Sequence, residues 1–201
     1  MEPPDPTAGN ERLTATTAVL LLVLLAAEGV TILSIRPLLS EHIVIGLLLI
    51  PPVVLKLAST GYRLLRYYTG AAEYVAKGPP HILMRVLAPF LVVTTLTVLG
   101  TGVAMLALGP RNHRDVLVGL HKTSFVAWFV LMSVHVLVYA PRLPRLVLSG
   151  RTLGRRAALV GSSVAAGALL AGATYSLAGP WVHRAHDHER DGVGRYLSVL
   201  R

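Results

Sequence analysis

Apolar residues fall into five long blocks, separated by short links rich in proline, glycine and charge. Each block is long enough to form a helix across a hydrocarbon core of ~30 Å. The first runs from Thr14 to Ile35, the second from His42 to Tyr62, the third from Ile82 to Leu108, the fourth from Gly119 to Tyr139 and the fifth from Ala157 to Ala178. Residues 1–13 are polar and proline-rich and predict a short disordered tail. Residues 14–179 then form one bundle, and 180–201 a polar tail containing histidines. No basic stretch precedes the first block, which argues against a cleaved signal peptide. Pro51-Pro52 in the second block predicts a kink, because proline removes a helix donor and crowds the preceding turn. The fold class is all-α, an integral membrane bundle of five transmembrane helices.

Composition agrees. Of 201 residues, 53% are hydrophobic and 14% charged, unlike a soluble domain. The absence of cysteine excludes disulfides, iron–sulfur clusters, covalently attached haem and thiolate ligands. The net charge of +9 comes largely from Arg and Lys beside the apolar blocks. That placement suits membrane orientation and contact with anionic lipid rather than nucleic acid.

Charge also predicts topology. Arg12, Arg63, Arg66, Lys77, Arg85, Arg142, Arg145, Arg151, Arg155 and Arg156 fall on one side, and only Arg36, Arg111 and Arg114 on the other before the tail. This bias places the N-terminus in the cytoplasm and the C-terminal tail outside. Tyr62, Tyr67, Tyr68 and Tyr74 among those arginines suit the headgroup layer.

The fourth block carries His121 and His135, fourteen residues apart. On one helix they are separated by roughly 21 Å and point from the same face. Ionisable groups inside a membrane span are costly and usually mark a functional path. Two stacked haems would need this spacing from a single helix, whereas two polar residues joining helices by hydrogen bonds is the plainer reading. His42, at the start of the second block, matches His121 in depth, so the two can ligate one haem iron from facing helices. Four of the five helices form the haem-binding core in this reading. Gly46 and Gly119, each within a turn of a histidine, can let a flat ring approach the backbone; ordinary helix packing explains Gly46 as well. Fourteen residues beyond His42 stands Lys56, not histidine. Lys56 can ligate only when deprotonated, and pairing with a propionate or lipid phosphate or reaching the surface are its alternatives. His81 is the other candidate opposite His135.

The segments His42-x3-Gly46, LHK-x-SF-x2-W-x6-HVL (Leu120 to Leu137), LLLIPPVVLKLASTGYR and RYYTG resemble the membrane domain of b-type cytochromes, over roughly residues 14–140. That group includes quinone-linked bacterial cytochromes b and ferric-reductase-like domains. The resemblance implies haem b, one-electron transfer in a bacterial plasma membrane, and quinone or a redox protein as partner. Di-haem members carry paired histidines on both helices; Lys56 departs from that pattern and makes one haem the expectation and two the upper limit. A homo-oligomer or larger complex is compatible, and whether the chain is itself an oxidoreductase is left open.

Other residues carry competing readings. Glu28, a carboxylate inside the first block near the depth of His42, can hold a ligand histidine's second proton, accept a quinol proton, or bond a neighbouring helix as a neutral acid. Phe125 and Trp128 suit a haem edge or plain core. Lys122, Arg63, Arg66 and Arg85 suit propionates or lipid. His183, His186, His188 and Asp187 are a loose metal set or a solvated tail. No flavin, nicotinamide or phosphate-binding segment is present. The alternative to a cytochrome is a non-haem membrane accessory subunit or small transporter whose histidines and Glu28 relay protons.

Overall fold

The computed structural model describes residues 7–79, 82–110, 114–142 and 153–185. Among these residues the structure is helical throughout, with no strand. Helix α1 spans Ala8–Leu33, α2 Leu39–Tyr68, the short α3 Ala72–Ala76, α4 Ile82–Leu108, α5 Arg114–Tyr139 and α6 Leu153–Thr174. The last continues through a 3-10 turn, Tyr175–Ala178, so that its apolar span reaches Ala185. Five helices are long and apolar enough to cross a membrane. Large apolar side chains such as Val23, Val54, Val93, Val126 and Leu169 face outward, as lipid-facing residues do.

Helices α1, α2 and α5 are longer than their apolar blocks. Helix α1 begins at Ala8, so residues 8–13 belong to a helix and not to a disordered tail. Their polar groups have partners that lie far along the chain. Asn10 Nδ2 donates to Ser59 O at 3.0 Å, Thr14 Oγ1 donates to Ser59 Oγ at 3.0 Å, and Glu11 Oε1 lies 2.8 Å from Lys77 Nζ. At its far end α2 runs on to Tyr68 because Arg66 pairs with Glu73 on α3 at 3.0 Å and Tyr62 packs edge-on against Tyr74. Gly70, at φ +78°, ends α2: the Ala71 N–H reaches back to Arg66 O at 3.0 Å. Gly109, at φ +72°, ends α4 ahead of Pro110, and here the glycine's own N–H reaches back to Met105 O at 3.0 Å.

Helices α1 and α2 form one antiparallel pair, α4 and α5 another, and α6 packs along α2. Helix α2 stays helical through Pro51-Pro52. Pro52 is fully buried and has no N–H to offer Leu48 O, its usual partner one turn back. Gly167 of α6 approaches that carbonyl: a Cβ there would stand 2.5 Å from Leu48 O. The group α1–α2–α6 meets the pair α4–α5 through a small cluster of Leu47, Leu106, Ala171 and Ala178. Two bonds extend this contact past α6, from Trp181 Nε1 to Met105 O (3.1 Å) and from Arg184 NH1 to Pro110 O (2.7 Å). Elsewhere the two groups touch sparingly.

Candidate functional site

His42 and His121 come together across the seam between the two helix groups. Their ring centroids are 6.3 Å apart and the ring planes cross at 88°. Each ring is held at Nδ1 by the helix that precedes its own, and in the same manner.

The Thr31 hydroxyl donates to Glu28 O at 2.6 Å, so its oxygen faces His42 Nδ1, 3.1 Å away, as an acceptor. Glu28 Oε1 lies 2.9 Å from the same nitrogen. In the second pair the Thr101 hydroxyl donates to Thr97 O at 2.7 Å and its oxygen sits 3.0 Å from His121 Nδ1. Val98 O, which can only accept, is 3.1 Å from that nitrogen. Both rings therefore donate from Nδ1, which in a neutral imidazole leaves the Nε2 lone pair bare. Neither Nε2 has a hydrogen-bond partner among the described residues. In both cases the acceptor lies three residues before the threonine, Glu28 before Thr31 and Val98 before Thr101, so both lie on one helix face.

The centroid separation is close to that of two imidazoles sharing one metal. An imidazole nitrogen binds a metal at about 2.0 Å and the ring centre lies a further ~1.1 Å behind, so two opposed ligands have centroids ~6.2 Å apart. Among the described residues no group of three or more His, Cys, Asp or Glu could hold a metal ion. A bare cation would thus be short of ligands here. A metal that arrives with its own in-plane donors needs only these two nitrogens.

The other candidates are placed as follows. Glu28 sits beside His42, mostly buried, and its Oε2 has no hydrogen-bond partner. Gly46 makes room for that carboxylate: a Cβ there would lie 3.6 Å from Glu28 Oε1. Gly119 is exposed, with nothing within 4 Å of an added Cβ, so it opens no approach to His121. That part falls to Gly102 on α4, where a Cβ would lie 3.5 Å from His121 Cε1. Lys56 donates to Thr14 O at 2.8 Å, on α1. His135 packs on Tyr139 with centroids 4.9 Å apart, and no second imidazole meets it among the described residues. Trp128 stacks on Phe125 and donates to Thr95 Oγ1 at 3.0 Å. His183 is exposed; His81, His186, Asp187 and His188 lie outside the described residues.

Thr31, Val98, Thr101 and Gly102 were not singled out as site residues. Their signal was a threonine placed one helix earlier at the depth of each histidine. In the Gly100-Thr101-Gly102 run, Thr101 and Gly102 both lie against the His121 ring. A groove of about 670 Å³ lined by Lys122, Thr123, Val126, Ala127, Val130 and Leu131 lies on the face of α5 opposite His121, and is separate from the histidine pair.

No protein-family model, curated protein or solved structure matches the chain.

Proposed function

We propose that the chain is a membrane-bound b-type cytochrome that holds one haem between α2 and α5, with His42 Nε2 and His121 Nε2 as axial ligands. One observation carries the reading: two imidazoles with their protons fixed on Nδ1 lie 6.3 Å apart, centroid to centroid, in the interior of an apolar bundle. A bound haem supplies a one-electron couple. The chain's own residues do the rest. Thr31 with Glu28, and Thr101 with Val98, fix the donor nitrogen and hold each ring at Nδ1, which keeps Nε2 as the nitrogen left for a metal. Gly102 keeps the side of His121 clear. Leu47, with Ile43 and Val44 packed against its cluster, follows His42 on α2 and adds apolar surface next to it.

For the inner half the reading is one haem and not two. Lys56 donates to Thr14 O, and no second imidazole meets His135 among the described residues. Electrons enter and leave through quinone or a redox protein, and the charge bias orients the N-terminus to the cytoplasm of a bacterial plasma membrane. One observation favours a second reading: the Glu28–His42 pair, with its free carboxylate oxygen, is also the core of a proton relay in a non-haem accessory protein or transporter.

Haem analysis and a reduced-minus-oxidised spectrum of the detergent-purified chain, expressed with ample haem, separate the two. One haem per chain, lost in both His42→Ala and His121→Ala, supports the cytochrome. A colourless wild type sinks it and leaves the relay.

A further inference from the structure

The two histidines are held alike in every respect but one. Each Nδ1 is shared between a threonine oxygen and a second acceptor three residues earlier. For His121 that acceptor is a backbone carbonyl, Val98 O at 3.1 Å; for His42 it is the Glu28 carboxylate at 2.9 Å. We propose that Glu28 makes His42 the stronger of the two axial donors and so holds the haem at a lower potential than two carbonyl-bonded histidines would.

This inference rests on the haem reading and deepens it. An imidazole that gives its Nδ1 proton to a charged acceptor acquires imidazolate character, and its Nε2 becomes more basic. A carbonyl pulls on that proton more weakly, because hydrogen bonds to ionised groups are roughly twice as strong as neutral ones. A more basic ligand stabilises ferric over ferrous iron, and a nearby negative charge acts in the same direction. Glu28 Oε2 is buried with no partner, so the bond to His42 is the one through which the carboxylate is relieved. Gly46 lies beside the carboxylate, where a Cβ would stand 3.6 Å from Oε1, in ordinary contact. Glu28 touches neither iron nor porphyrin in this scheme. It is a positioning residue that acts through His42.

The test is a redox titration of the full chain in detergent, comparing wild type, Glu28→Gln and Thr101→Val. Glutamine keeps the shape and an oxygen that accepts the Nδ1 proton, but removes the charge. Glu28→Gln is expected to keep one haem, raise the midpoint potential and change the ferric EPR g-values. Thr101→Val, which leaves Val98 O on His121, shifts the midpoint much less. A Glu28→Gln protein with haem bound, an unchanged midpoint and an unchanged EPR spectrum overturns the proposal. If glutamine does not retain haem, Glu28→Asp is titrated in its place: the shorter arm weakens the contact, so the midpoint rises, and an unchanged value again overturns the idea. A wild type that binds no haem is a different failure, that of the cytochrome reading itself.

Discussion

Pro52 and Gly167 act on the same carbonyl group. Pro52 leaves Leu48 O without its helical donor, and Gly167 on α6 comes close enough that an added Cβ would lie 2.5 Å from that oxygen and 3.0 Å from Leu48 Cα. A backbone oxygen in an apolar bundle is costly to leave bare, and a Cα–H contact from a glycine is a partial substitute. Neither atom is the free end of a flexible side chain, so an added methyl forces the helices apart. Gly167→Ala is expected to destabilise the bundle by about 1–3 kcal/mol, the usual range for overpacking, read as a lower thermal midpoint in detergent. Gly161→Ala, where nothing lies within 4 Å, should leave the midpoint level or higher. Equal losses in both would mean that α2 and α6 are not in this close contact.

On the cytochrome reading, ligand assignment follows from haem counts in four variants. His42→Ala and His121→Ala should each lose the haem. Lys56→Met and His135→Ala should each keep one haem per chain with an unshifted Soret band. A second haem in wild type that disappears with His135 would show that the inner half holds a ligand beyond those considered.

The crossing angle of the rings makes a spectroscopic prediction. On the cytochrome reading, two imidazoles holding iron at the 88° that these rings show would leave the two iron orbitals that overlap them nearly equal in energy. The ferric protein should then give a strongly anisotropic low-spin EPR signal, dominated by one low-field feature. A compact rhombic signal would mean that the rings turn toward parallel when the haem is bound.

Glycine substitutions distinguish seat from surface. Gly102→Leu places a side chain against His121 and should reduce haem occupancy at least several-fold, whereas Gly119→Leu, in open space, should retain it. Haem-to-protein ratios in the two purified variants decide the matter. Loss of haem in Gly119→Leu alone would reverse the assignment.

Acid stability offers a test outside the membrane. The Glu73 carboxyl is held below its ordinary value of 4.5, first by its own backbone N–H and then by Arg66. A carboxyl lowered in the folded state contributes stability above its ordinary value and loses it as pH falls through the lowered one. The contribution is therefore lost below about pH 4.5, and it is small because the group is exposed. Glu73→Gln should flatten the acid end of a curve of thermal midpoint against pH while leaving the neutral end within experimental scatter. Parallel curves for the two proteins would remove the Arg66–Glu73 pair from the account.

The apolar blocks made the five helices legible, and helix geometry alone matched His42 with His121 in depth. The helix ends were less legible. Asn10 and Glu11 look like solvated tail because nothing local reveals that Ser59 and Lys77 are their partners. The seat of each histidine was harder still. Thr31 and Thr101 satisfy their own hydroxyls within the helix, as threonines do in any membrane span, so their second role exists only once two helices are side by side. Gly119 looked like a porphyrin approach because it is near His121 in sequence. Two residues along a helix turn the side chain by roughly 200°, which puts it on the far face; Gly102, on the neighbouring helix, occupies the near one.

The seam between the two helix groups has a consequence for the life of the protein in a cell. His42 belongs to one group and His121 to the other, and among the described residues the groups meet mainly at the Leu47–Leu106 cluster and through the bonds of Trp181 and Arg184. On the cytochrome reading, loading with haem ties the halves together, so assembly is complete only when the cofactor arrives. A chain inserted during haem shortage would carry an open seam, the kind of defect that membrane proteases recognise. Its abundance would then follow haem supply after synthesis, with no change in transcription.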